Sequence, residues 1–455
     1  MTDRRDAYET AELIRRGELS PVEAVEEALV AIEEAEPRVN AFTVVRAEEA
    51  LAEARALEGV AERGLLHGVP ISVKDVVWTR GILTTNGTRA YACFVPDEDA
   101  VVVERLRAAG AVVVGKTNNP ELCLDGITEN ELFGVTRNPW DPSRTPGGSS
   151  GGAGASVASG GPLAIGSDGG GSIRIPASFC GVAGLKPTLG LVPGTPGFRG
   201  WPSLSVKGPL ARSVRDLELS LAVISGPDPR DPATVRVPPA PPPERPRIAV
   251  SEDLGFAPLE PDVRAAFRAA VDWLADAGHA LEEARPETGD SADLWLAVAS
   301  AEGYASHRHL LGRLGPRAEE IVAGGARITA SEYLDALDER ARFTRVWLSF
   351  FERFDLLLTP AMQLTAFPVG EVMPSKIGGE PVDRARENWC AFLSALNLTG
   401  CPAASVPCGV DRRGLPIGLQ IAGPRFGEAS ILRLAAAWEE LRPWARQAPP
   451  LESPA

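Results

Sequence analysis

The chain is poor in the residues that serve most often as bases and metal ligands. Among 455 residues it has four histidines, and only five of its 46 basic residues are lysine. Its six cysteines form no C-x-x-C pair and are sparse for a chain of this length, so a disulfide-rich scaffold is not indicated. No run of about 18 apolar residues is present, which argues against a membrane-spanning helix.

The charge balance narrows the function classes further. The formal net charge is −15, which argues against a nucleic-acid binder, because phosphate backbones are bound through Lys and Arg. The N-terminal segment lacks the apolar core of a signal peptide. Together with cysteines that we expect to be reduced and buried, these features predict a cytoplasmic protein.

The order of segments predicts an α/β protein. A short buried strand over 69–74, an apolar helix over 101–109 and a strand over 111–115 follow one another, and this alternation is typical of such folds. The following boundaries are predicted for one domain over 1–446: N-terminal helices over 1–65, a glycine-rich core over 66–225, a proline-rich surface connection over 226–246, a second half with a helical insertion over 247–446, and a disordered tail over 447–455.

Lysine is the favoured candidate base. A desolvated ammonium can lose its proton, whereas a guanidinium in a protein cannot, and Lys74 ends a buried strand. His307 and His309 stand in an arginine-rich segment and are expected to be solvated, so a Ser-His-Asp triad is not favoured. Gly147–Gly151 matches the G-x-S-x-G elbow but lacks the hydrophobic strand that must precede it.

Three consecutive glycines precede Ser172. Such a run can turn successive backbone N–H groups into one concavity that suits an anion, and a serine beside it supplies a hydroxyl nucleophile. Phosphate binding is the rival interpretation, but no Walker motif follows.

Several segments resemble the amidase signature family, and the matches run from near residue 8 to near residue 440. The segments that carry the resemblance are GVPISVKD (68–75), GGSSGG (147–152), GSDGGGSIRIPAS (166–178) and GVAGLKPT (181–188). This resemblance implies the amidase-signature fold, an α/β fold with a large mixed central β-sheet covered by helices on both faces.

The resemblance also implies a Ser–cis-Ser–Lys triad. Lys74 would be the base, Ser149 the bridging serine after a cis peptide bond, and Ser172 the nucleophile that forms an acyl-enzyme. The oxyanion hole would be formed by the backbone amides of Ser172 and of three glycines, Gly169, Gly170 and Gly171.

Other residues are expected to support this site. Asp168 and Arg174 flank the nucleophile and are predicted to pair beneath its loop, and Ser150 is expected behind the bridging serine. Leu124 and Asp125 are predicted to line an acyl pocket. Four aromatic residues could line the same pocket or belong to the core: Trp295, Trp347, Phe350 and Phe351.

The predicted function is hydrolysis of a small carboxylic acid amide to carboxylate and ammonia or amine, without metal or other cofactor. Association with copies of the same chain is left open. One alternative is the glutaminase component of a tRNA-dependent amidotransferase, which grips glutamine through an Asp and an Arg; here those positions hold Cys390 and either Glu320 or Ile321. The other alternative is a catalytically inactive binding protein.

Overall fold

The computed structural model describes residues 5–60, 64–238, 241–383, 388–444 and 449. The helices of this part are α1 (Ala7–Arg16), α2 (Pro21–Val39), α3 (Ala47–Leu57), α4 (Val101–Ala108), α5 (Gly151–Ala158), α6 (Arg174–Cys180), α7 (Val214–Ile224), α8 (Pro261–Asp276), α9 (Ala292–His307), α10 (Pro316–Gly324), α11 (Ala330–Arg353), α12 (Ser394–Leu398) and α13 (Glu428–Leu441). The strands are β1 (Phe42–Val45), β2 (Pro70–Lys74), β3 (Val112–Thr117), β4 (Glu129–Asn130), β5 (Gly134–Val135), β6 (Leu163–Asp168), β7 (Ala183–Lys186), β8 (Val206–Ala211), β9 (Ile248–Val250), β10 (Leu281–Glu283), β11 (Leu356–Pro360), β12 (Lys376–Ile377), β13 (Glu380–Pro381), β14 (Ala403–Val410) and β15 (Pro416–Ala422).

Eleven of these strands form one mixed sheet in the order β1-β3-β2-β6-β8-β7-β14-β15-β11-β9-β10. Strands β3, β2 and β6 run parallel, as do β11, β9 and β10, while the strands between these two groups pair antiparallel. Strand β7 of the first half of the chain pairs with β14 of the second half. The predicted mixed central sheet is confirmed.

Both faces of the sheet are covered by helices, as predicted. Successive side chains of a strand point to opposite faces, and in β11 Leu356 and Leu358 enter one core while Leu357 enters another. The first core also contains Leu217 of α7 and Leu432 of α13, and the second contains residues of α9 and α11. A strand buried on both sides explains the continuous apolar runs that the sequence shows there.

Two local predictions can be compared with the structure: the start of α2 and the proline-rich connection. The capping box of α2 is formed, because the Ser20 side chain accepts from the Glu23 N–H and the Glu23 carboxylate accepts from the Ser20 N–H. The described residues of 226–246 contain no helix and no strand.

Apart from Pro449, the tail over 447–455 lies outside the described residues, and the domain boundaries stay a prediction. None of the described helices has both the length and the apolar composition needed to cross a bilayer.

Candidate active site

Lys74 is the last residue of β2 and lies inside the sheet, between β3 and β6. Its side chain is fully buried, and Nζ donates to Ser149 Oγ at 2.6 Å and to Ser167 Oγ at 3.0 Å. Burial lowers the pKa of Lys74 to about 8, against an opposing effect of the Cys123 thiol and with a further lowering by Lys207. The amine is therefore available in its neutral form near neutral pH.

Ser149 follows a cis peptide bond, as predicted for the Gly148–Ser149 linkage. Gly148 lies so close to the neighbouring chain that a Cβ there would be 2.2 Å from the Ile127 carbonyl oxygen. Ser150 connects this loop to the predicted nucleophile, because its N–H donates to the Ser172 carbonyl at 3.1 Å. Its hydroxyl also donates to the Ser167 carbonyl at 3.2 Å. The two glycine-serine segments are thus held side by side.

The predicted nucleophile lies in the tight turn between β6 and α6. Gly171 has φ +123°, and a Cβ on it would be 2.3 Å from a Leu393 methyl carbon. A Cβ on Gly170 would be 2.6 Å from the Trp295 ring. Glycine is required at both positions because backbone approaches these side chains closely. Ser172 is only 8% exposed, and it lines two cavities.

The backbone amides of this turn are not equivalent. The Gly171 N–H donates to Asp168 Oδ1 at 2.8 Å, so it is engaged and unavailable to an oxyanion; the expectation that Gly171 supplies a donor was wrong for this conformation. In the part of the chain that the structure describes, the N–H groups of Gly169 and Gly170 donate no hydrogen bond. The Gly169 carbonyl accepts from the Trp295 indole N–H at 2.9 Å, which fixes the orientation of the turn.

Asp168 and Arg174 form the expected pair beneath the turn. Their closest atoms are 3.0 Å apart, and both side chains are fully buried. Although burial raises the pKa of Asp168, the Arg174 guanidinium more than offsets this and holds it below its ordinary value. Asn397 and Gln420 complete the network by accepting from Arg174 at 2.6 and 3.0 Å. Breaking such a buried pair leaves an uncompensated charge, so the network stabilises the turn that contains the predicted nucleophile.

Two cavities meet at Ser172. The narrow cavity, of about 50 Å³, is lined by Leu124, Asp125 and Trp295 among others. The wide cavity, of about 370 Å³, is lined by Ser149, Ser167, Lys207 and His307 among others.

The aromatic candidates divide between pocket and core. Trp295 lines the narrow cavity, whereas Trp347, Phe350 and Phe351 are buried in the core on the α11 face of the sheet. Asp125 is held by Arg317, whose Nη2 donates to Oδ1 at 2.7 Å.

The structure adds residues that the sequence analysis passed over. Ser167 lies inside the quoted motif and Lys207 is one of the five lysines, but no role was predicted for either of them. None was predicted for Asn397 or Gln420. His307 was predicted to be solvated, and this was wrong. It is buried, and burial together with the charge of a neighbouring histidine lowers its pKa to about 4.

A cysteine nucleophile and a metal site are two alternatives that the described residues give little support. No disulfide is formed among the cysteines of the described ranges. Burial raises the pKa of Cys180, so this thiol is a poor nucleophile. No cluster of three or more His, Cys, Asp or Glu side chains suited to a metal ion occurs among the residues that the structure describes.

Comparison with known proteins places this site in a family. The family model named Amidase matches residues 23–432. The chain belongs to the amidase family. The amidase is 38% identical to the A-type subunit of the glutamyl-tRNA(Gln) amidotransferase of Chloroflexus aggregans (strain MD-66 / DSM 9485), over 96% of each chain. It is 35% identical to an acylamidase of Rhodococcus erythropolis, over 97% of this chain and 96% of that protein.

Solved structures agree with this membership. A 6-aminohexanoate cyclic dimer hydrolase in complex with its substrate superimposes on the amidase with a TM-score of 0.90 at 32% identity, over 99% of this chain and 100% of that one. A bacterial aryl acylamidase of the amidase signature family gives a TM-score of 0.91 at 29% identity, over 100% and 99%. The predicted family, its fold and amide hydrolysis as the class of reaction are confirmed.

Proposed function

We propose that this amidase hydrolyses the amide bond of a small molecule through an acyl-enzyme on Ser172, with Lys74 as the base and Ser149 as the proton relay. The observation that carries the proposal is the 2.6 Å hydrogen bond between the buried Lys74 amine and the Ser149 hydroxyl. A neutral amine at that distance can take the hydroxyl proton, and Ser149 can in turn take the proton of Ser172. Among the described residues, no hydrogen bond joins the hydroxyls of Ser149 and Ser172. The proton relay therefore requires the two hydroxyls to come within hydrogen-bond distance when substrate binds.

The first step forms one bond and moves one proton. Ser172 Oγ attacks the amide carbonyl carbon while its proton passes through Ser149 to Lys74. The carbonyl oxygen then carries the negative charge of the tetrahedral intermediate, and the backbone N–H groups of Gly169 and Gly170 are the proposed donors to it. Loss of one such donor typically costs about 10²–10³-fold in rate.

Collapse of the intermediate breaks the C–N bond. Lys74 returns its proton through Ser149 to the leaving nitrogen, and water then hydrolyses the acyl-enzyme by the same route in reverse. Because Ser149 delivers the proton, the amine half of the substrate belongs in the wide cavity that Ser149 lines. The acyl half then belongs in the narrow cavity on the other side of Ser172.

Active-site labelling tests the proposal. A fluorophosphonate probe should label the wild-type enzyme and fail to label Ser172→Ala, and hydrolysis of a panel of aliphatic, aryl, peptide and lactam amides should be lost in the same variant. Ser178→Ala is the matched control, because Ser178 is a buried serine in α6 that touches neither cavity. Retained turnover in Ser172→Ala would refute the proposal, and an unlabelled, inactive wild type would favour the binding-protein alternative.

The glutaminase component of an amidotransferase is the second candidate, and it is favoured by the names of curated relatives such as the Chloroflexus protein. Cys390 lines the narrow cavity, while Glu320 and Ile321 line a neighbouring cavity. None of the three supplies the Asp and Arg that the resemblance expects for glutamine binding, which supports a stand-alone amidase. Release of ammonia from glutamine, with no hydrolysis of the other amides, would favour the amidotransferase component instead. A cytoplasmic location is part of the proposed amidase function and is supported by the absence of disulfides among the described cysteines.

A further inference from the structure

Lys207 lies beside the base in the wall of the wide cavity. It belongs to β8, where it pairs directly with Ser167 of the antiparallel neighbour β6. Directly opposed residues of an antiparallel pair project to the same face, with Cβ atoms about 4.5–5.5 Å apart. Ser167 accepts from Lys74, so Lys207 projects to the same face as a hydrogen-bond partner of Lys74, and it lines the cavity assigned above to the amine half of the substrate.

Within the ranges that the structure describes, no carboxylate balances the charge of the Lys207 ammonium. Within the described residues it makes no hydrogen bond and has no carboxylate within ion-pair distance, although it is half-buried. Burial lowers its pKa, which is the effect expected when a charge is withdrawn from water without compensation. An anion that enters the cavity can form a charge-assisted hydrogen bond with such a cation, and these bonds are about twice as strong as neutral ones.

The remaining charges of the wide cavity leave it positive. Arg199 stands exposed at its rim, and the lowered pKa of His307 keeps that ring neutral near pH 7. The Asp231 carboxylate, which accepts from the Gly194 and Ala233 N–H groups, is the one negative charge among the described lining residues, so two cations face one anion. This local excess of positive charge stands out in a chain whose net charge is −15.

The narrow cavity has the opposite character. Its ionisable lining includes two carboxylates, Asp125 and Asp290. Arg317 pairs with Asp125, and Asp290 accepts from the Ala292 N–H. No basic side chain lines this cavity in the described part of the chain, so a negative charge on the substrate is better placed in the amine half.

We infer that Lys207 binds a carboxylate carried by the amine half of the substrate, so that the preferred substrates are N-acyl amino acids and related amides that release an amino acid. This inference rests on the proposed function and specifies its substrate class. The reaction remains plain hydrolysis: the C–N bond breaks, water supplies the hydroxyl of the new acid, and the amine leaves with the returned proton.

Two amides that share one acyl group test the inference. N-butyrylglycine and N-butyrylethanolamine differ in the carboxylate, and release of the primary amine is measured with a fluorogenic amine reagent. In Lys207→Met the ratio of kcat/KM for the glycine compound over the ethanolamine compound should fall about 10- to 100-fold, the range for a hydrogen bond to a charged group. Lys207→Arg should retain most of the ratio. Lys376→Met, which removes an exposed lysine of β12, should leave the ratio unchanged.

A ratio of kcat/KM values that stays constant in Lys207→Met overturns the inference. If both kcat/KM values fall by the same factor and the pH profile is displaced, Lys207 acts only on Lys74, which also overturns the inference. A second measurement uses the unmodified enzyme: glycine should inhibit cleavage of N-butyrylethanolamine more strongly than ethanolamine does, and equal inhibition would contradict the inference. Ser172→Ala is assayed in parallel. Retained turnover there would refute the proposed function itself, whereas a failure confined to Lys207 would leave that function standing.

Discussion

The pH dependence of hydrolysis is the sharpest consequence of the buried Lys74. Only the neutral amine can accept a proton, so activity falls as pH is lowered through the pKa of about 8. For that pKa about one tenth of the amines are neutral at pH 7 and about one hundredth at pH 6. We therefore expect kcat/KM to rise about tenfold from pH 6 to pH 7 and to level off above about pH 9.

The experiment measures kcat/KM for an uncharged amide from pH 5.5 to 10 at constant ionic strength, because this parameter reports the ionisation of the free enzyme. A solvated lysine with an ordinary pKa near 10.4 would give a rate that still rises tenfold per unit at pH 9. The position of the plateau therefore separates a desolvated base from an exposed one.

Lys74→Arg is the matched variant for this experiment. It preserves a positive charge but cannot release a proton, so we expect a loss of about 10³-fold or more at every pH. A wild-type profile that is flat between pH 5.5 and pH 9 would refute the assignment of the base. Turnover in Lys74→Arg close to that of the wild type would refute it independently.

Three further substitutions test the parts that hold the site together. Arg174→Met should lower the free energy of unfolding, measured in urea, by about 3–5 kcal/mol, because it leaves the buried Asp168 charge unpaired. The control Arg342→Met, which breaks an exposed ion pair, should change it by about 1 kcal/mol or less. Equal losses in the two variants would contradict the reasoning. Ser167→Ala removes one acceptor of the catalytic amine and should lower kcat/KM about 2- to 10-fold, and an unchanged pH profile and rate would show that this hydroxyl is dispensable. Trp295→Phe removes the indole N–H that fixes the nucleophile turn and should lower kcat by about 2- to 10-fold with a smaller change in KM; a change in KM alone would assign the indole to substrate binding.

The sequence was sufficient for the parts of the site that a short motif encodes. Lys74 ends a recognisable apolar strand, and the glycines before Ser172 signal a tight turn, so both could be found without coordinates. The pairing of Ser167 with Lys207 could not, because it depends on β8 returning antiparallel beside β6 in the middle of the sheet. Strand neighbours and their register are properties of the whole fold, and no local pattern specifies them.

The wrong predictions for His307 and Gly171 have the same cause. His307 stands among arginines in the sequence, but it ends α9 at the wall of the wide cavity, where tertiary packing buries it. Gly171 belongs to the oxyanion motif, but the Asp168 carboxylate accepts its N–H. In both cases a neighbour that is fixed by the fold decides what the residue can do.

The network around Arg174 has a consequence for synthesis of the chain. Every predicted reacting group has been made once residue 172 is complete, yet Arg174 depends on Asn397 and Gln420, more than 200 residues later. A nascent or truncated polypeptide thus contains the proposed nucleophile and its proposed base but lacks the acceptors that hold the turn after β6 in place. We expect hydrolytic activity to appear only after the C-terminal strand has been released and has joined the sheet, which would spare other amides in the cell from unfinished copies.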